Sequence, residues 1–238
     1  MIEARHITKS FGRLRVLDDL SLSIGRRRIT GLVGPNAAGK TTLAKIILGL
    51  TKADSGALEI DGTPIGADDD AYRARIGYMP QLARFPENLS ARDLFEMLTD
   101  LRRPTRPVDD ELVERFNFAG ALDKPIRTLS GGTRQKVNAV IAFLFHPDLL
   151  ILDEPTAGLD PVSSGILKDK IFAEKAAGTT FLLTSHIMSE LDELADDVAF
   201  INEGKVAFVG ALAELKRVTR QSNLERAIAE MMKRGAAA

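Results

Sequence analysis

The sequence predicts an α/β fold in which a mostly parallel sheet is covered by helices. Short apolar runs rich in β-branched residues recur along the chain, and each is followed by a glycine-marked turn or a helical pattern. One such run leads through the glycine-rich segment GPNAAGKTT, residues 34–42, into a helical pattern. Strands and helices that alternate in this way pack the helices onto a parallel sheet.

The individual elements follow from the period of the apolar residues. The strand patterns lie at residues 2–7, 16–24, 29–33, 57–60, 149–152, 181–184, 198–201 and 206–209. The helical patterns lie at residues 40–48, 132–145, 162–176 and 187–194. Gly12, Gly25 and Gly62 separate the early strands, and these turns indicate a smaller antiparallel β subdomain.

The middle of the chain has a different, helical character. Within residues 90–121, Leu94, Leu98 and Leu101 recur at helical spacing, which places them on one face. This pattern predicts a helical subdomain, at about residues 82–147, inserted into the α/β core.

The end of the chain is also predicted to be helical. Leu224, Ile228 and Met231 recur at helical spacing. The pair Met231-Met232 could suggest soft-metal binding, but packing of the tail helix is the favoured explanation. We therefore divide the chain into a main domain, residues 1–210, and a helical tail, residues 211–238.

Composition excludes several classes of function. The 238 residues carry a net charge of −1, which gives no general reason to bind nucleic acid or anionic lipid. There is no cysteine, and the three histidines are scattered, so we expect no metal site built from these residues. The run Asp68-Asp69-Asp70 lacks the downstream ligands of a calcium loop and indicates a charged surface turn. No apolar run approaches the about 20 residues needed to span a bilayer, so the sequence predicts a cytoplasmic protein.

The glycine-rich segment has the pattern of a phosphate-binding loop. Gly34-x-x-x-x-Gly39-Lys40-Thr41 lies between a strand and a helix, the context that this motif requires. Backbone N–H groups and the helix N-terminus are expected to surround phosphates, with Lys40 on the β and γ oxygens and the Thr41 hydroxyl on Mg²⁺. A left-handed backbone at Ala37 would cost about 1–2 kcal/mol, so we expect a right-handed one there. The predicted cradle comprises Gly34, Pro35, Asn36, Ala37, Ala38, Gly39, Lys40, Thr41 and Thr42.

A second motif supplies the acids that such a loop needs. Asp153 and Glu154 follow the apolar strand of residues 149–152. Asp153 is expected to hold Mg²⁺ or its waters, and Glu154 to orient or deprotonate the water that attacks the γ-phosphate. The alternative is that the two acids merely end a strand, and Lys40 upstream argues against it.

A third motif, LSGGTRQ at residues 129–135, opens a helix with a serine cap and two glycines. It lies about 90 residues after Lys40 and about 20 before Asp153. In sequence and position it resembles the signature of ATP-binding cassette (ABC) ATPases, and the resemblance extends from the first strand to about Val209. It implies a P-loop NTPase core, with Ser130, Gly131 and Gly132 acting on ATP.

Four further residues match this family in order along the chain. Phe11 lies where the family has an aromatic side chain that stacks on adenine, and Gln81 matches the glutamine at the border of the helical subdomain. Asp160 matches the D-loop, and His186 matches the switch histidine. Each has a structural alternative: a core aromatic, a surface turn, a helix cap and a helix-start histidine, respectively.

The resemblance also implies a mechanism. Two antiparallel subunits, expected here as a homodimer, would sandwich two ATP molecules, with the signature of one chain closing on the nucleotide of the other. Lys40, His186 and Mg²⁺ would stabilise the transition-state charge while Glu154 positions the water. Thr41, Gln81 and Asp153 are the expected metal-site residues.

Three functions compete for such a motor. A membrane transporter is favoured, with separate integral membrane permease subunits that hold this chain at the cytoplasmic face of the membrane. The tail helix could contact the permease or the second copy, or it could pack on its own domain. A soluble DNA-maintenance protein would need a long coiled coil between the motifs, and a translation-type protein would carry two cassettes.

Residues 83–95 resemble the ATPase associated with maturation of the copper enzyme nitrous oxide reductase. The alternative is an exporter ATPase for drugs, lipids or polysaccharide.

Overall fold

The computed structural model describes residues 1–66 and 71–236, and the charged turn predicted at Asp68, Asp69 and Asp70 lies outside these residues. The chain divides into two compact units. The first unit comprises Met1–Arg73 and Thr180–Ala238, and the second comprises Ala74–Thr179.

The described residues form strands and helices in the alternation that the sequence predicts. The strands are β1 (Ile2–Phe11), β2 (Leu14–Ile24), β3 (Ile29–Val33), β4 (Ser55–Ile60), β5 (Thr63–Pro64), β6 (Ile76–Met79), β7 (Leu149–Asp153), β8 (Thr180–Thr184), β9 (Asp197–Asn202) and β10 (Lys205–Ala211). The α-helices are α1 (Lys40–Ile47), α2 (Ala91–Arg102), α3 (Glu111–Arg115), α4 (Gly131–Phe143), α5 (Pro161–Ala177), α6 (Met188–Leu194), α7 (Leu212–Thr219) and α8 (Leu224–Ala236). Short 3-10 helices lie at Ala71–Arg75, Ala119–Ala121 and Ile126–Thr128.

The first unit contains two kinds of sheet. Strands β2, β1, β4 and β5 pair in that order and are antiparallel, as the early glycine turns predict. Strand β3 pairs in parallel with β8 and with β9, and β10 pairs antiparallel with β9. All five residues of β3 are buried, which is typical of a strand covered on both faces. The predicted α/β fold with an antiparallel piece is confirmed.

The second unit is built around the parallel pair β6 and β7, with α4 packed against β6. The contact is close at Gly77, where an added Cβ would lie 2.1 Å from the carbonyl oxygen of Ala142. Only glycine lets the two backbones approach in this way. Helix α3 packs against α4 and α5 in the same unit.

Some elements differ from the sequence prediction. Strands β5 and β6 were not predicted, because two and four residues give too short a pattern to recognise. Helices α3 and α7 lie within the two segments that were predicted to be helical, residues 90–121 and 211–238. The predicted apolar face of α2 is only partly buried: Leu94 is 2% exposed and Leu101 is 73% exposed. The boundaries 1–210, 82–147 and 211–238 remain a prediction.

The predicted tail helix is present as α8, and it packs on α6 and α7 within the first unit. Its buried side chains are Leu224, Ala227 and Ile228. Among residues 1–66 and 71–236, no helix has both the length and the apolar character needed to cross a bilayer.

Candidate functional site

The phosphate loop joins β3 to α1 in the first unit, and two glycines shape it. At Gly34 an added Cβ would lie 2.1 Å from the carbonyl oxygen of Ile201. At Gly39 the backbone is left-handed, with φ 106°, and an added Cβ would lie 2.5 Å from the side chain of Leu17. The loop conformation therefore requires glycine at both positions.

The conformation of Ala37 differs from the prediction. We expected a right-handed backbone, but its φ is 65°, in the left-handed region. The chain turns back between β3 and α1 within a few residues, and Ala37 lies in that turn. The geometry of the loop therefore outweighs the local preference of alanine.

The start of α1 has the properties of an anion site. Gly39 provides no side-chain cap, and there is no acidic residue in the first turn. The N–H groups of this turn thus have no side-chain cap, and the helix dipole favours a negative charge in front of them. The Lys40 ammonium donates to the carbonyl oxygens of Gly34 at 2.7 Å and Pro35 at 2.9 Å, which holds a positive charge over the loop. The exposed Thr41 side chain lies in the same turn.

His186 lies at the same sheet edge as the phosphate loop. It follows β8, whose Thr184 pairs in parallel with Leu32 near the end of β3. The hydroxyl of Ser185 accepts from the Ile187 N–H at 3.0 Å, which fixes the turn around His186. The imidazole is exposed, so its side chain is accessible to a ligand.

Phe11 is not a core residue. It lies at the end of β1, opposite Leu14, and is 53% exposed. The Lys9 ammonium lies 5.4 Å from the centre of the ring. An exposed aromatic ring is available for stacking, which agrees with the family role and not with the core alternative.

In the second unit, Gln81 and Asp153 follow the neighbouring parallel strands β6 and β7. Met79 pairs with Leu152, so both side chains lie at the same edge of the pair. Gln81 is exposed and Asp153 is half-buried. Burial and the charge of Asp153 raise the pKa of Tyr78 on β6. The edge therefore carries the negative charge expected of a cation ligand.

Glu154 has an unusual backbone. Its φ is 54°, a left-handed value that costs about 1–3 kcal/mol for residues other than glycine. The Ala157 N–H donates to the carbonyl of Glu154 at 3.1 Å, and Leu159 N–H donates to Thr156 at 3.0 Å. These turns hold Glu154 in this conformation and direct the chain toward the segment of residues 157–160.

The signature segment begins α4 as predicted. The Ser130 hydroxyl caps the helix by accepting from the Thr133 N–H at 3.1 Å. Ser130 and Gly131 are exposed, and an added Cβ at Gly131 would meet nothing within 4 Å. At Gly132 it would lie 3.0 Å from the carbonyl oxygen of Gly158, so the signature and the predicted D-loop are in close contact.

Asp160 caps the next helix, α5, as the structural alternative predicts. It accepts from the Ser163 N–H at 2.9 Å and from the Ser163 hydroxyl at 2.6 Å. These hydrogen bonds, with a contribution from Lys136 of α4, lower the pKa of Asp160 to about 2. The Lys136 ammonium lies 3.6 Å from the carboxylate. The cap is compatible with a D-loop role.

Sequence reasoning missed two buried polar side chains on α4. Gln135 is 8% exposed and Asn138 is 2% exposed. The signal was present, because Asn138 interrupts an otherwise apolar stretch, Val137 to Phe145. Within residues 1–66 and 71–236 no group of three or more His, Asp or Glu side chains could hold a metal ion.

Comparison with known proteins identifies relatives of the chain. The family described as "ABC transporter" matches residues 17–157. A protein named daunorubicin resistance ATP-binding protein DrrA3, from Streptomyces coeruleorubidus, is 36% identical over 233 residues, which are 96% of this chain and 74% of that protein. Nod factor export ATP-binding protein I of Sinorhizobium fredii is 36% identical over 210 residues, which are 86% of this chain and 61% of that protein.

The fold also has relatives among solved structures. One described as an ATP-binding subunit of an ABC transporter superimposes with a TM-score of 0.88 and is 28% identical. The superposition covers 98% of this chain and 99% of the other. The similarity therefore extends over both units and the tail helices.

Proposed function

The chain belongs to the ABC transporter family of ATP-binding subunits, and from this premise we propose that two copies close around ATP and drive a separate membrane permease. The chain is an ATPase. The observation that carries the proposal is the phosphate loop, where the Lys40 ammonium lies over a helix start that has no side-chain cap. Such a start binds phosphate through backbone N–H groups.

The catalytic roles follow from the chemistry of the side chains. Glu154 orients or deprotonates the attacking water, and Lys40 and His186 stabilise charge on the γ-phosphate. Phe11 stacks on the adenine. Ser130, Gly131 and Gly132 contact the nucleotide held by the other copy, and the exposure of Ser130 and Gly131 supports this role. Asp160 keeps the D-loop in place at the start of α5.

The chain has suitable ligands for Mg²⁺. Thr41, Gln81 and Asp153 offer hydroxyl, amide and carboxylate oxygens, the hard ligands that this ion prefers. Thr41 and Gln81 are exposed, and Asp153 is half-buried. When bound, Mg²⁺ neutralises charge on the phosphates.

Glu154→Gln tests the assignment. We expect ATP binding to persist while kcat falls at least about 100-fold, because the amide cannot accept the proton of the water. Closed dimers should then accumulate with ATP and Mg²⁺, as measured by light scattering after gel filtration.

Glu203→Gln is the matched control for this experiment. Glu203 is an exposed glutamate, and its backbone is left-handed, with φ 48°, as that of Glu154 is. Its turnover should equal that of the unmodified chain. Turnover by Glu154→Gln as fast as that of this control would contradict the role assigned to Glu154.

For the cargo, we propose maturation of the copper site of nitrous oxide reductase. The support is the segment of residues 83–95, just after Gln81. The chain would supply energy and carry no copper itself. It would be held at the cytoplasmic face of the membrane by its permease.

A second candidate is export of drugs, lipids or polysaccharide. The names of the two relatives favour it, because one is a daunorubicin resistance protein and the other is a Nod factor export protein. Cells whose only copy is Glu154→Gln distinguish the two. Reductase that lacks copper supports the first candidate. Normal reductase together with greater sensitivity to amphipathic drugs supports the second.

A further inference from the structure

Helix α4 carries two buried amide side chains that the proposed chemistry does not use. Gln135 and Asn138 are three residues apart, so they lie on the same face of the helix. They are 8% and 2% exposed, respectively. Burying a polar side chain is unfavourable unless it is hydrogen-bonded, so the partners of these amides reveal what they do.

Each amide bonds to a backbone carbonyl next to a functional residue. The Asn138 Nδ2 donates to the carbonyl oxygen of Pro80 at 2.8 Å. That oxygen belongs to the peptide group that joins Pro80 to Gln81. The hydrogen bond therefore fixes the orientation of the peptide plane on the N-terminal side of Gln81. The Gln135 Nε2 donates to the carbonyl oxygen of Pro155, directly after Glu154, at 3.4 Å.

The two amides also bond to each other. The Asn138 Nδ2 lies 3.3 Å from the Gln135 Oε1, so a continuous chain of hydrogen bonds runs from Pro80 through α4 to Pro155. Both carbonyls belong to prolines, whose φ is fixed. An amide that holds such a carbonyl therefore constrains the neighbouring residue more tightly than it would in a flexible segment.

The backbone of Glu154 needs this kind of restraint. A left-handed φ of 54° persists only where the surroundings determine it. The same helix packs closely against β6 at Gly77. A displacement of α4 would therefore also move β6, the strand that leads to Gln81. The N-terminus of α4 is the signature segment, Ser130 to Gly132.

We infer that Gln135 and Asn138 are positioning residues through which the signature helix sets the backbone of Gln81 and Glu154 in its own chain. This inference rests on the proposed function. When the start of α4 engages the nucleotide of the other copy, the amides transmit its position to the glutamine and the general base. The occupancy of one nucleotide site thereby affects the position of the glutamine and the general base in the other site.

Asn138→Leu tests the inference, because leucine has the branched shape of asparagine but lacks the donor. We expect kcat to fall at least about tenfold, as small misplacements of catalytic groups do, with KM for ATP within about twofold. Amide hydrogen exchange in residues 80–84 should become faster in the nucleotide-free protein.

Val140→Ala is the matched control, since Val140 is fully buried on the same helix and makes none of these bonds. It should lower the melting temperature but leave kcat and exchange in residues 80–84 unchanged. Gln135→Ala is the second variant, and it should reduce kcat and speed exchange in residues 154–159.

The outcomes separate the inference from the function on which it rests. If Asn138→Leu and Gln135→Ala match Val140→Ala in kcat and in exchange, the amides only fill space and the inference fails. If the unmodified chain bound to its permease does not hydrolyse ATP, the proposed function fails instead. The exchange measurement needs no activity, so it tests the hydrogen-bond chain in either case.

Discussion

Ala37 and Glu154, two residues of the candidate site, have left-handed backbones, with φ of 65° and 54°. Neither side chain favours this conformation, which belongs to the sparsely populated region that recurs at functional sites. At Ala37 the cause is the tight path of the phosphate loop. At Glu154 it is the turn that follows the buried strand β7, and the conformation persists although the next residue, Pro155, favours an extended backbone at Glu154.

The strain at Ala37 can be measured by replacing the residue with glycine. Ala37→Gly should raise the free energy of unfolding by about 0.5–1 kcal/mol, because relief of the left-handed backbone exceeds the added entropy of the unfolded chain. Ala38→Gly is the control, since Ala38 has no positive φ and should lose about 0.5–1 kcal/mol. Urea denaturation measures both, and a loss of stability in Ala37→Gly would contradict the strain.

At the scale of elements, helix α5 is tied to the segment before α4 by a partly buried charge cluster. The Lys170 ammonium donates to Asp109 at 2.6 Å, to Glu111 at 2.8 Å and to Glu174 at 2.8 Å. Burial alone would lower the pKa of Lys170, but these three carboxylates raise it above its usual value. The Lys170 and Asp109 side chains are 4% and 8% exposed. Each buried charge is therefore stabilised by the opposite charge and not by water.

Removing the lysine should therefore be costly. Lys170→Met leaves the buried carboxylate of Asp109 without its cation, and the free energy of unfolding should fall by about 3–5 kcal/mol. Lys124→Met, at an exposed lysine of the same unit, should change it by no more than about 0.5 kcal/mol. Equal stability of the two variants in urea denaturation would show that the cluster contributes little.

At the scale of the whole molecule, the proposed active form contains two copies. Ser130 and Gly131 are exposed, and Ser130 caps its own helix, α4. That cap by itself gives neither residue a role in binding a ligand. In the proposed dimer the signature of one copy completes the site whose base is the Glu154 of the other. Hydrolysis then requires residues from both chains at each site.

Mixing two inactive variants tests this arrangement. Glu154→Gln and Ser130→Arg chains should each be inactive alone. In an equal mixture about half of the dimers are mixed, and each has one site with both residues intact, so turnover should recover to about a quarter of the unmodified rate. A mixture no more active than its components would contradict the two-chain site.

The sequence by itself determined the alternation of strands and helices, the phosphate loop, the two acids and the signature cap at Ser130. These features depend on local patterns: apolar periodicity, glycine at fixed spacing and a serine before a helix. Asp160 as a helix cap followed from the same local chemistry, and the structure confirms it.

Tertiary structure alone decided the left-handed turn at Ala37, the short strand β6 and the exposure of Leu101. It also decided that Asn138 reaches the carbonyl of Pro80, 58 residues away in the chain. The physical reason is that each outcome depends on groups distant in sequence, whose combined packing outweighs the small preference of a single residue.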